Sequence, residues 1–139
     1  MNTLAPSLVA ASAAIILLLG LIHLFYTFRG PKLQPRDASL KVTMSEVSPI
    51  LTRQTTMWKA WVGFNASHSF GAIFFGLVYG YLALAHSPFL FQSTFLLLVG
   101  LFLLVGYVFL GKVYWFSVPY RGIVLSTALY ASALVIQWT

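Results

Sequence analysis

The sequence predicts an all-α fold, an integral membrane four-helix bundle, and three observations carry the prediction. The chain of 139 residues is 60% hydrophobic and only 7% charged, with a mean hydropathy of +0.89. A soluble domain carries about a quarter charged residues, and a chain this short cannot cover so apolar a surface against water. Its apolar residues gather in four uncharged windows, roughly 7–28, 60–86, 89–111 and 122–138, each near the ~20 residues that cross the hydrocarbon of a bilayer. The charges themselves sit between windows, on one side only.

The first window follows the flank "MNTLAPS", which holds no Lys or Arg, and "FRGPK" stands where a small-residue cleavage site would end a signal peptide. The window therefore reads as a retained helix. Gly30-Pro31 stops it. The connection 29–57 has its own organisation. Asp37 is placed to cap a short amphipathic helix with Leu40, Met44 and Val47 on one face, lying in the headgroup layer with Lys41 toward water. Ser48-Pro49 resembles an N-cap followed by proline at the first helical position, so the second helix is expected to begin as early as Pro49. Windows two and three meet at "HSPF", where Pro88 can begin the next helix. The whole chain, 1–139, reads as a single four-span domain, with no internal repeat and no low-complexity segment.

Arg29, Lys32, Arg36, Lys41, Arg53 and Lys59 fall between or just inside windows one and two, and Lys112 and Arg121 flank the connection between windows three and four. Neither the amino terminus nor the "HSPF" turn carries a basic residue. The positive-inside rule then places both basic connections in the cytoplasm and both termini outside, in the inner (plasma) membrane. The net charge of +6 is accounted for by this topology, and a nucleic-acid partner is not expected.

At ~100° per residue each window has one face of small and polar residues. Window one groups Ser12, Ile16, Leu19, Gly20, His23, Tyr26 and Thr27. In window two the face holds Trp58, Trp61, Asn65, His68, Ser69, Ala72, Gly76 and Tyr79, with Ala72, Gly76 and Gly80 as a small-xxx-small ladder for close helix approach. Window three groups Gly100, Leu104, Tyr107, Gly111 and Tyr114, and window four Gly122, Ser126, Tyr130, Ala133 and Gln137. From a rise of ~1.5 Å per residue, His23, Asn65 and His68 lie ~8–12 Å inside the cytoplasmic boundary. Polar groups in hydrocarbon need partners or a water-filled pocket. These therefore serve either as hydrogen bonds between helices or as a ligand pocket. His86, at the outer turn, reads as an interfacial residue.

The absence of cysteine excludes disulfides and thiolate chemistry. Asp37 and Glu46 are the only acidic side chains, so no embedded carboxylate can drive proton pumping. No "HExxH" and no cluster of three metal ligands is present, which points away from a metal centre. His23 and His68 on adjacent helices could ligate a b-type haem, though no cofactor is required. The composition better suits a lipid or lipophilic anion held in the cytoplasmic leaflet by His23, Asn65, Ser69, Tyr107, Lys112, Tyr114 and Arg121. Were there catalysis, His68 would be its general base, with Asn65 polarising an oxygen. The alternative function is a small structural subunit or assembly factor of a larger membrane complex, or a homo-oligomer, with outward aromatics such as Phe70 and Phe74 on the partner.

The run Trp61-Val-Gly-Phe-Asn65-Ala-Ser67-His68-Ser69, with "PRDASL" before it and "YWFSVPYRGI" after it, resembles a family of short bacterial four-span membrane proteins, which implies a shared architecture and no activity. The layout is also similar to that of the membrane-associated eicosanoid and glutathione proteins (MAPEG), which implies a transferase. Those enzymes carry Arg-x-x-Asn-x-x-Glu on the second span. Here Val62 stands in the arginine position and His68 in the glutamate position, beside Asn65.

Overall fold

The computed structural model describes residues 3–138; the first two residues of the amino-terminal flank and Thr139 lie outside them. Among the described residues the chain forms six helices and no strand: α1 (Leu4–Phe28), α2 (Ala38–Glu46), α3 (Met57–Ala85), α4 (Ser87–Gln92), α5 (Thr94–Tyr114) and α6 (Ser117–Trp138). Helices α1, α3, α5 and α6 are long and apolar enough to cross a membrane, as the sequence predicts.

Three boundaries differ from expectation, each for a local reason. Ser48-Pro49 does not start α3. Thr52 N–H bonds back to the Pro49 carbonyl in a turn, and Met57 N–H reaches the Val47 carbonyl at 2.8 Å. Thr56, whose hydroxyl accepts from Lys59 N–H, takes the N-cap role instead. The third window is broken in two: Pro88 begins the short α4, and Ser93 then caps α5 by accepting from Leu96 N–H. Helix α6 begins at Ser117, ahead of the expected Gly122, because Pro119 in a first turn has no intrahelical N–H to lose.

The chain divides into two compact units, residues 1–19 with 72–139, and residues 20–71. The larger unit is held by small and hydroxylated residues, as membrane helix seams require. Gly76 lies so close to α1 that a Cβ there would stand 2.5 Å from Leu17 Cβ and 2.8 Å from the Ala13 carbonyl oxygen. Ser12 and Ser126 are fully buried with their hydroxyl oxygens 2.7 Å apart, and Ser126 donates on to the Ser12 carbonyl at 3.0 Å. Tyr79 and Tyr130 donate to the Leu96 and Leu97 carbonyls at 2.6 and 3.1 Å. The bare Cα of Gly100 admits the Tyr130 ring, whose hydroxyl occupies the space a Cβ would need. Phe75, absent from the expected face of α3, is buried here and stacks on Tyr79. Two residues leave the seams the periodicity drew for them: Tyr114 is 73% exposed and Gln137 faces outward.

The smaller unit comprises the last residues of α1, the connection, α2 and the first half-length of α3. The positive φ of Gly30, 80°, turns the chain after α1, a conformation that costs other residues ~1–2 kcal/mol. Asp37 caps α2 as expected, accepting from Ser39 N–H at 2.8 Å and Ser39 Oγ at 2.7 Å. These bonds hold its carboxyl below the ordinary aspartate value. No residue of α2 is buried, and its apolar Leu40 is half exposed.

Candidate functional site

The smaller unit brings together three of the residues the sequence singles out. His23 comes from α1, and Asn65 and His68 come from one face of α3, where a spacing of three residues keeps them adjacent. His23 Nε2 lies 3.1 Å from Asn65 Oδ1. The Asn65 amide nitrogen donates to the Trp61 carbonyl at 2.8 Å, which orients the oxygen toward the histidine, so Nε2 of His23 carries the proton. Thr27 donates to the His23 carbonyl at 2.8 Å. The His68 ring meets the His23 ring edge to face, with centroids 5.4 Å apart and planes at 87°. Rings in that contact leave no gap for a porphyrin between them, so the pair does not fit axial haem ligation. Among the described residues no group of three or more His, Cys, Asp or Glu is arranged to hold a metal.

Beside this cluster lies a pocket of about 230 Å³. Tyr26, Thr27 and Phe28 from α1, Trp58, Trp61, Val62 and Asn65 from α3, and Gly30, Leu33 and Gln34 from the connection line it. Leu33 of the connection is tied to α3 at the pocket: Trp61 Nε1 donates to its carbonyl at 2.9 Å. Comparison with protein-family models, curated proteins and solved structures finds no match. What the pocket can do follows from its own chemistry.

That chemistry is aromatic and amide-rich, with cations close by. Asn65 stands on the wall. His68 is not among the lining side chains; it backs His23, which in turn holds Asn65. Ser69, expected to touch a ligand, is fully buried and donates to its own helix at the Asn65 carbonyl, 2.9 Å away. A hydroxyl in a helix readily takes that i−4 acceptor, and nothing in a face assignment reveals it. The remaining expected site residues belong to the larger unit. Tyr107 packs against Trp115 with centroids 6.0 Å apart, Lys112 Nζ lies 5.8 Å over the Tyr120 ring, and Tyr114 and Arg121 are exposed.

The periodicity places Tyr26, Thr27, Trp58, Trp61 and Asn65 on the inward faces, so half of the pocket wall is visible in the sequence. Leu33 and Gln34 are not. They belong to the path of the connection, and the only signal for that path is the Gly30-Pro31 turn that sends the chain back over α3.

Proposed function

We propose that this protein is a multi-pass protein of the inner (plasma) membrane, with both termini outside the cytoplasm, that binds a lipid or lipophilic anionic small molecule in the pocket beside Asn65. The observation that supports this reading is the composition of that pocket. Aromatic rings of Tyr26, Trp58 and Trp61 surround an amide held in one orientation by His23, in a unit with six basic and two acidic side chains. Aromatic faces accept apolar and interfacial groups, the fixed amide offers a directed hydrogen bond, and the surplus positive charge favours an anion. Small-molecule sites combine these features, a mostly apolar wall and a few placed polar groups.

A structural role alone would not need this arrangement. Amides and imidazoles that only join helices are satisfied by each other, whereas Asn65 also lines the pocket and its amide nitrogen has a second hydrogen beyond the one given to Trp61. The test is mass spectrometry of small molecules that co-purify with the wild type and with Trp58→Ala in mild detergent. A specific amphiphile retained by the wild type and lost from a folded Trp58→Ala protein is the expected result. Identical profiles, or a stoichiometric protein partner with no bound amphiphile, would favour the subunit role instead.

A further inference from the structure

Two lysines of the connection contact side chains that line the pocket without lining it themselves, and each meets only neutral partners there. Lys32 Nζ donates to the Tyr26 hydroxyl at 2.9 Å and lies 4.1 Å from the centre of the same ring. Lys41 Nζ donates to Gln34 Oε1 at 2.9 Å and lies 5.1 Å over the Trp58 ring. Tyr26, Gln34 and Trp58 all line the pocket. Among the described residues neither ammonium is paired with a carboxylate: the Asp37 side chain is engaged by Ser39, and Glu46 makes no ion pair. Charges that only orient a protein in a membrane can stand anywhere near its cytoplasmic face, as exposed Arg53 in the connection and exposed Lys59 in the first turn of α3 do. Lys32 and Lys41 instead contact wall residues of α1, in Tyr26, and of the connection and α3, in Gln34 and Trp58.

From this geometry we infer that the head group taken by the pocket is a phosphomonoester, clamped between Lys32 and Lys41. The inference rests on the amphiphile-binding reading above and names the class of head group. Each ammonium has three N–H donors and spends one on its neutral acceptor, which leaves both able to turn to an anion without abandoning the wall. A carboxylate brings one negative charge and would leave the second lysine uncompensated. A phosphomonoester brings about −1.5 to −2 charges and three strong acceptor oxygens at neutral pH, enough to answer both lysines and the remaining Asn65 amide hydrogen. Lysine is an apt partner for it, a compact point charge that binds phosphate without needing a planar, two-pronged match. The aromatic faces under the ammonium groups hold them beside the pocket wall.

The full chain in phosphatidylcholine nanodiscs tests the assignment, with three probes titrated separately: phosphatidic acid, oleate and glycerol 3-phosphate. Phosphatidic acid should bind saturably, one per chain, and at least about tenfold more tightly than oleate, the difference expected for one additional charged hydrogen bond. Lys32→Gln and Lys41→Gln should each lower phosphatidic acid affinity to near that of oleate with melting temperature unchanged. Lys59→Gln, at an exposed basic residue that neither lines the pocket nor bonds a lining side chain, should bind as the wild type does. Equal affinities for phosphatidic acid and oleate, or lysine variants that bind phosphatidic acid normally, would overturn the head-group assignment and leave the amphiphile reading standing. Glycerol 3-phosphate binding as tightly as phosphatidic acid would keep the head group but overturn the amphiphile. No saturable binding of any probe would overturn both.

Discussion

Replacing Gly76 by alanine should separate two helices of the larger unit, while the same change one turn later should be tolerated. A Cβ at residue 76 would stand 2.5 Å from Leu17 Cβ, 2.8 Å from the Ala13 carbonyl oxygen and 2.9 Å from Leu17 Cα. Carbon atoms in good contact sit ~3.5–4.0 Å apart, so the two helices must part by ~1 Å, and a gap of that size already forfeits a quarter to a half of each contact's attraction. Two of the three clashing atoms are backbone, which cannot rotate away. The cost expected is about 3 kcal/mol, at the upper end of ordinary overpacking. At Gly80 the added Cβ would meet only Ala13 Cβ at 3.7 Å, an ordinary contact, so Gly80→Ala should stay within about 1 kcal/mol of the wild type. Thermal unfolding of both variants in the same detergent, followed by tryptophan fluorescence or circular dichroism, gives the comparison. A Gly76→Ala protein that melts with Gly80→Ala and the wild type would refute the close approach of α1 and α3.

Three further outcomes follow from the geometry. Ser126→Ala should cost roughly 1–2 kcal/mol because it strands a buried hydroxyl on Ser12, and the double variant Ser12→Ala/Ser126→Ala should cost less than the sum of the singles; unfolding free energies that add would deny the pairing. His23→Ala removes the donor to Asn65 Oδ1 and should lower stability by ~0.6–1.7 kcal/mol while also reducing amphiphile retention; retained binding at wild-type affinity would show that Asn65 needs no positioning. The Asp37 carboxyl, held below its ordinary value by Ser39, stabilises α2 fully above that ordinary value, and the contribution is lost as the pH falls through the lower folded-state value. Amide protection across Ala38–Glu46, referenced to intrinsic exchange at each pH, should therefore fall at acid pH in the wild type, and Asp37→Ala should be less protected at neutral pH with little further loss on acidification.

How far the chain could be read without its fold depends on the range of the interactions involved. Composition and the spacing of apolar residues determined four long apolar helices, because helix length and hydropathy are properties of contiguous sequence. The cap of α2 at Asp37, the turn at Gly30 and the helix start at Pro88 were equally legible, since each is settled within one or two turns. A period of ~100° per residue also placed Ser12, Ser126, Tyr130, Ala72 and Gly76 on buried faces, where their size or hydrogen bonding requires a neighbour.

Tertiary structure decided everything that rests on competition between partners. Asn65 and His23 are 42 residues apart, and only the meeting of α1 with α3 shows that each satisfies the other while His68 stands behind. Ser69 had the right face and chose its own helix carbonyl. Tyr114 had the right phase but lies at the end of α5, where the face of the helix no longer has a neighbour to cover it. The pocket exists because a loop crosses α3 and is held by the Trp61 indole, a hydrogen bond between residues 28 apart that no local pattern encodes. Periodicity states which way a side chain points, and only the packed chain states what it meets there.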